Sequence, residues 1–183
     1  MPANKVRIVG GEWRSRILSF TPRPDLRPTP DRVRETLFNW LGQDLNGKIC
    51  LDLFAGSGAL GFEAASRGAT RVMMIERDAR AFKALQENIT ALGAQTVELQ
   101  RVDALEFLRA GRSKYDVVFI DPPFRVNLLP QVLVLLPARL TPQALVYVEA
   151  PRTQQFAPGW QMWRHGRAGT VHYALLKWTT DHA

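Results

Sequence analysis

Four acidic residues, Asp52, Glu76, Asp103 and Asp121, lie at or just beyond the ends of four successive apolar runs. Asp52 stands in the run Ile49 to Phe54, which passes into Ala55-Gly56-Ser57-Gly58-Ala59-Leu60-Gly61 and then into a helical pattern from Ala59 to Arg67. Gly56 and Gly58 free the backbone to turn sharply and to approach a ligand, and Gly61 lets the helix pack closely on its strand. Glu76 follows Gly56 by 20 positions, at the end of the next apolar run. A strand, a glycine turn, a helix and an acid at that distance predict a mononucleotide- or dinucleotide-type site.

Asp121-Pro122-Pro123-Phe124 points to the chemistry. A Pro-Pro pair stiffens a turn and has no N–H of its own. The Pro122 carbonyl is therefore expected to stand outward beside the Asp121 carboxylate. Two acceptors held together, with an aromatic ring after them, match a planar heterocycle carrying an exocyclic amine. The acceptors take the two amine hydrogens and Phe124 stacks on the ring. Asp103 also stands at a plausible helix-cap position, but four consecutive strands ending in acids exceed what capping alone explains.

The elements that must position these residues alternate. Strands are expected at 48–54, 71–76, 96–101, 115–121 and 144–150, and helices at 58–67, 79–92, 104–110 and 127–136. The strands are near-continuous apolar runs, such as Val72-Met73-Met74-Ile75, as in parallel sheets covered on both faces. Trp160 to His165 and Thr170 to Trp178, separated by Gly166 to Gly169, predict an antiparallel hairpin closing the sheet. Before this core, Val6 to Val9 and Arg16 to Phe20 flank Gly10-Gly11 and predict a small β-hairpin or arm. Thr21 to Pro30 carries four prolines and reads as an extended linker. Pro30 suits the first turn of a helix with Thr29 as N-cap, and Val33, Leu37, Phe38, Trp40 and Leu41 form its apolar face. These boundaries divide the chain into a basic arm and linker, 1–29, and an α/β domain, 30–183.

Bulk composition narrows the class. With 183 residues, 46% of them hydrophobic and 22% charged, the chain is long enough for one domain with a substantial core. No run reaches the roughly 18 apolar residues of a membrane span, the N-terminus is too polar for a signal peptide, and the cytoplasm is the expected compartment. The single cysteine, Cys50, permits no internal disulfide and suits core packing. His165, His172 and His182 share no metal-ligand spacing, and no metal site is expected. The formal charge of +7 is uneven: eight cations against three acids leave +5 in residues 1–34. That asymmetry, with Trp13 beside Arg14 and close to Arg16, predicts a polyanionic partner met by Arg7, Trp13, Arg14, Arg16, Arg32 and Arg34.

Asp52 to Gly61 together with Asp121-Pro-Pro-Phe124 resembles the class I S-adenosylmethionine-dependent methyltransferases that modify exocyclic amines of bases. Arg7-Ile-Val-Gly-Gly11, Arg14-Ser-Arg16 and the block from Leu26 to Leu41 resemble the bacterial ribosomal small-subunit methyltransferase D family, which makes N2-methylguanine in 16S rRNA. The likeness runs from Val6 to about Trp178. Ser15 departs from the glycine usual in that family, and Phe54 takes a glycine position of the wider motif, as exocyclic-amine enzymes commonly do.

The resemblance implies a Rossmann-like, mostly parallel seven-stranded sheet with a C-terminal antiparallel hairpin and a small N-terminal hairpin. It implies S-adenosyl-L-methionine as cofactor, held by Asp52, Phe54, Gly56, Ser57, Gly58, Glu76, Asp103 and Ala104. Within that set Glu76 accepts from the ribose hydroxyls and Asp103 from the adenine amine. It makes Asp121, Pro122, Pro123 and Phe124 the catalytic turn. The expected partner is small-subunit ribosomal RNA, free or in an assembled particle, met by a monomer with no membrane involved. Three alternatives stand beside it: an N6-adenine methyltransferase acting on DNA or RNA, an NAD-dependent oxidoreductase, and a non-catalytic RNA-binding protein.

Overall fold

The computed structural model describes residues 4–22, 28–123 and 127–179. Two short antiparallel strands, β1 (Lys5–Arg7) and β2 (Ile17–Ser19), form the N-terminal hairpin. Helix α1 (Asp31–Trp40) leads into β3 (Ile49–Asp52), α2 (Ala59–Ser66), β4 (Arg71–Ile75), α3 (Ala79–Leu92) and β5 (Val97–Gln100). Then come α4 (Ala104–Ala110), β6 (Tyr115–Ile120), α5 (Leu129–Leu135) and β7 (Leu140–Ala150). The antiparallel strands β8 (Trp160–Ala168) and β9 (Val171–Trp178) complete the sheet.

The seven-stranded sheet has the order β5-β4-β3-β6-β7-β9-β8, with β3 to β7 parallel and β9 antiparallel to β7. From β3 the chain runs outward to β5 and then returns to β6 on the other side, so the topological switch lies between β3 and β6. In such sheets ligands bind beyond the carboxyl ends of the strands at that point. Both faces are covered. Val33, Phe38, Phe62 and Leu85 of α1–α3 share one core with Val6, Ile8, Leu18 and Phe20 of the N-terminal hairpin. Phe107, Leu108, Val132 and Leu133 of α4 and α5 build the other. Cys50 is fully buried in the first, and burial pushes its thiol up to about 12. Among the described residues, no helix is long and apolar enough to cross a membrane.

Two local expectations differ from the structure. Thr29 does not cap α1, since Pro30 holds that position and the Thr29 hydroxyl donates instead to Glu149 Oε1 at 2.6 Å. Gly166 does not lie in the C-terminal turn. Strand β8 continues through it to Ala168, and a Cβ there would meet the Tyr173 ring at 2.5 Å, so the glycine serves close cross-strand packing. Ser15 sits at φ 70°, a left-handed conformation that costs a residue with a Cβ roughly 1–2 kcal/mol, which explains why glycine suits this position.

The N-terminal hairpin is fastened by a buried carboxylate. Glu63 of α2 is fully buried, receives the Val9 N–H at 2.9 Å, pairs with Arg34 at 3.0 Å and with Arg67 at 2.9 Å. Arg34 is also fully buried and completes its donors on Asp31 and the Thr29 carbonyl. Burial pulls its guanidinium pKa down, against the opposing pull of Glu63 and Asp31. Removing one partner of a buried pair leaves the other charge uncompensated, at a cost of about 3–5 kcal/mol. Glu63→Gln is therefore expected to lower unfolding stability by that order in urea denaturation. A loss below about 1 kcal/mol would show that Arg34 and Arg67 find other partners.

Candidate active site

The rim formed by the carboxyl ends of β3, β4, β6 and β7 is crowded with carboxylates. Asp52 ends β3, paired in register with Met74 of β4 and Phe119 of β6. Its Oδ2 accepts the Gly61 N–H at 2.9 Å, tying the first turn of α2 back to the strand. At Gly61 a Cβ would lie 2.7 Å from Met74 Cε and 3.1 Å from Asp52 Oδ2, so glycine lets the helix approach the strand closely and a side chain there would have to displace Met74. Gly56 and Gly58 both adopt positive φ, 53° and 79°, in the turn between them. Ser57 is buried there, its Oγ accepting the Ala59 N–H at 3.4 Å, and Phe54 is half-buried against the α4–α5 core.

Glu76, just beyond β4, locks that turn from the side. Its Oε2 accepts the Gly56 N–H at 2.9 Å and its Oε1 the Asp78 N–H at 2.8 Å. Asp103 lies further along the same rim, beyond β5. Its Oδ1 caps α4, accepting from Leu105 and Glu106, while Oδ2 stands 4.0 Å from Arg77 Nη1. Ala104 is the buried first residue of that helix.

Asp121 follows β6 and is half-buried, Pro122 is buried and Pro123 half-buried; Phe124 lies outside the described residues. A further acid, absent from the sequence expectations, joins them. Ile120 pairs with Val148, so Asp121 and Glu149 are the next neighbours on the same face of adjacent parallel strands. Glu149 is buried and its Oε1 accepts from two hydroxyls, Thr29 at 2.6 Å and Tyr147 at 2.9 Å. Burial raises the Glu149 pKa, while those two donors favour its charged form. Asp121 is raised well above the ordinary carboxylate range by burial, then by the charges of Glu149 and Asp52. Glu149 is thus the member of the pair whose charged form is supplied with hydroxyl donors. Tyr147 is raised in turn by burial and by Glu149. Among the described residues, no group of three or more His, Cys, Asp or Glu is arranged to hold a metal ion.

The cationic candidates divide. Arg7, Arg14, Arg16 and Arg32 are exposed, with Arg7 paired to Asp31 at 2.9 Å and Arg16 donating to the Ala91 carbonyl at 3.1 Å. Trp13 is half-buried against the core beneath the hairpin, with its backbone N–H donating to Ser66 Oγ. Arg34 is a correction: its side chain is sealed between Glu63, Asp31 and the Thr29 carbonyl and presents nothing to a partner.

A switch point carrying a glycine turn and a carboxylate rim, in a sheet finished by an antiparallel hairpin, defines a class I methyltransferase fold. The solved structure of a candidate methyltransferase from Escherichia coli agrees, with a TM-score of 0.84 at 43% identity over 95% of this chain and 98% of that one. A Salinibacter ruber RNA methyltransferase solved with S-adenosyl-L-homocysteine gives a TM-score of 0.62 at 25% identity over 81% and 92% of the two chains. The family described as "Conserved hypothetical protein 95" matches residues 6–177. The ribosomal RNA small subunit methyltransferase D of Escherichia coli K12 is 42% identical over 96% of this chain and 91% of its own length. The chain belongs to that methyltransferase D family.

The shift at Asp52 has a measurable consequence. Burial, aided by Glu76 and opposed by the Gly61 and Phe54 N–H groups, raises its pKa from the ordinary 3.8 to about 7. A folded-state pKa above the unfolded one means that the folded protein binds more protons, so this group's contribution to stability falls as pH rises from about 4 to about 7. Asp52→Asn keeps an acceptor for Gly61 and removes the titration. Its stability relative to wild type is expected to increase across that window in denaturation curves at several pH values. Parallel profiles would place Asp52 in a more polar setting.

Proposed function

We propose that this chain transfers a methyl group to the exocyclic N2 amine of a guanine in small-subunit ribosomal RNA. The observation that carries the reading is the Asp121-Pro122-Pro123 turn at the β3–β6 switch, one strand from the glycine turn. Membership of the methyltransferase D family supports ribosomal RNA as the substrate. The S-adenosyl-L-homocysteine of the Salinibacter relative supports S-adenosylmethionine as the methyl donor.

The donor set fits that cofactor. The turn at Gly56–Gly58 offers a close backbone approach, and Glu76 one strand away and Asp103 beyond it are assigned, respectively, to the ribose hydroxyls and the adenine amine. When bound, the cofactor supplies an electrophilic methyl whose in-line transfer to nitrogen returns the C–S electron pair to sulfur and releases one proton from the amine. The rest falls to the protein. A guanine N2 lone pair is delocalised into its ring, and the amine is a poor nucleophile. The Asp121 carboxylate and Pro122 carbonyl, each accepting one amine hydrogen, favour a pyramidal nitrogen and stabilise the positive charge that develops on it. No strong base is required beforehand, since the N–H becomes acidic as the N–C bond forms. Alignment of the two reactants supplies up to roughly 7–11 kcal/mol. The guanine must leave its stack to reach the turn. Arg7, Trp13, Arg14, Arg16 and Arg32 are assigned to the RNA from the N-terminal side.

The direct test is incubation with labelled S-adenosylmethionine and small subunits lacking the modification, followed by nucleoside mass spectrometry. N2-methylguanosine is the expected product, and N6-methyladenosine would transfer the same turn logic to adenine. Glu76→Ala is expected to weaken S-adenosylmethionine binding by about 1.5–3 kcal/mol in calorimetry, the worth of hydrogen bonds to a charged group. Unchanged affinity would leave Glu76 as a turn clamp alone. For Asp121→Ala, single-turnover methylation is expected to fall by at least about 100-fold with cofactor affinity near wild type. Equal rates would remove Asp121 from the reaction.

A further inference from the structure

The sequence hides a second concentration of charge behind the first. Between Glu35 and Glu149 the chain nearly balances, with 12 cations against 13 acids. Residues 150–180 then carry Arg152, Arg164, Arg167 and Lys177 and no Asp or Glu at all. The fold gathers this stretch at one edge of the sheet, on β8, β9 and the segment that follows β7.

There a groove of about 490 Å³ opens between residues 152–156 and the β8–β9 hairpin. Arg152, Arg167, His165 and His172 line it, over an apolar floor that includes Phe156 and Met162. Pairing of Arg167 with His172 and of His165 with Ala174 puts these side chains on one face of the hairpin. Arg152, His165 and Arg167 are exposed, and among the described residues no acid lines the groove. The hairpin is a firm support. Trp160 donates its indole N–H to the Leu133 carbonyl of α5 at 3.2 Å and meets Trp178 edge-on at 5.0 Å. Arg167 Nε is held by the Gly169 carbonyl at 2.8 Å, and Thr153 Oγ1 lies 3.3 Å from His172 Nδ1.

Position ties the groove to the rim. Val148 and Ala150 line it, and Glu149 between them faces the other way, beside Asp121. A strand whose base reaches Asp121 has β7 as its next neighbour in the sheet and the groove immediately past it. The N-terminal hairpin, by contrast, packs on α2 and α3, across the switch point.

We propose that the basic groove on the C-terminal hairpin is a second RNA-docking surface, holding the strand beside the target guanine through phosphate contacts from Arg152 and Arg167. This rests on the reading of the chain as an RNA methyltransferase. Cations over an apolar floor suit single-stranded nucleic acid, whose backbone needs neutralising and whose bases need a surface to lie on.

The experiment measures binding of in vitro transcribed small-subunit rRNA across a salt series. Wild type is compared with R152A/R167A, the charge-preserving R152K/R167K, and the control R112A/K114A, whose exposed side chains precede β6 at the opposite rim. For R152A/R167A the slope of log affinity against log salt is expected to fall by about 1.4–1.8, since each lost phosphate contact removes roughly 0.7–0.9. S-adenosylmethionine affinity and thermal midpoint should stay near wild type, the lysine pair should recover most of the slope, and the control should leave it unchanged.

Superimposable slopes would overturn the proposal, as would an equal loss in the control. Loss of binding to assembled small subunits with binding to naked rRNA intact would also overturn it, assigning the groove to a ribosomal protein. The binding readout needs no turnover, so the two readings fail separately. Wild type that yields no N2-methylguanosine yet shows the slope change would defeat the proposed reaction and leave the groove standing.

Discussion

Crowding of carboxylates at one rim of a parallel sheet is the constraint that the rest of the molecule answers. Asp52, Asp121 and Glu149 share a face on three adjacent strands, and Glu76 reaches in from a fourth. In a partly buried setting such charges repel and lose hydration together, so each must be neutralised or furnished with donors. The fold does both. Backbone N–H groups of Gly61, Gly56 and Asp78 serve Asp52 and Glu76, and two hydroxyls serve Glu149. At Asp121 burial and the charges of Glu149 and Asp52 raise the pKa well above the ordinary carboxylate range. An acceptor poised in this way gains from any ligand that brings N–H groups to it, as an exocyclic amine does.

The N-terminal segment is bound to this arrangement at two points. Glu63 gathers Arg34, Arg67 and the Val9 N–H, joining α1, α2 and the hairpin around one buried charge. Thr29, at the entry to α1, reaches the rim itself through Glu149. The residue that leads into α1 therefore touches the carboxylate beside Asp121.

Much of this was legible from residues alone where the signal is local. The glycine turn, the helix after it and Glu76 fall within one βαβ stretch, and the parallel strands announce themselves as unbroken apolar runs. The hairpin strands β8 and β9 were also readable, though not their turn, because Gly166 looks like a turn glycine until the Tyr173 ring is laid over it. What escaped depends on partners far away in sequence. Thr29 before Pro30 has the local form of a cap, and its true partner lies 120 positions later. Arg34 looks like the solvated side of a helix until Glu63 is placed against it, 29 positions on. Glu149 sits among apolar residues of β7, and its meaning comes only from the strand beside it.

The distribution of charge completes the physical picture. An anionic rim would repel a polyanion if its carboxylates were bare, but the donors and the raised pKa values mute the field at the centre. The excess positive charge is placed outside it, on the N-terminal hairpin over α2 and α3 and on the C-terminal hairpin beyond β7. At physiological ionic strength, screening acts over about 8 Å, so each basic surface acts locally and orientation requires more than one. On the proposed function, two separated surfaces would define a line for the nucleic-acid backbone, with the β3–β6 switch between them. A base turned out of a strand held along that line would, on the same proposal, be directed toward the acceptors at Asp121 and Pro122, without the rim having to attract phosphate at all.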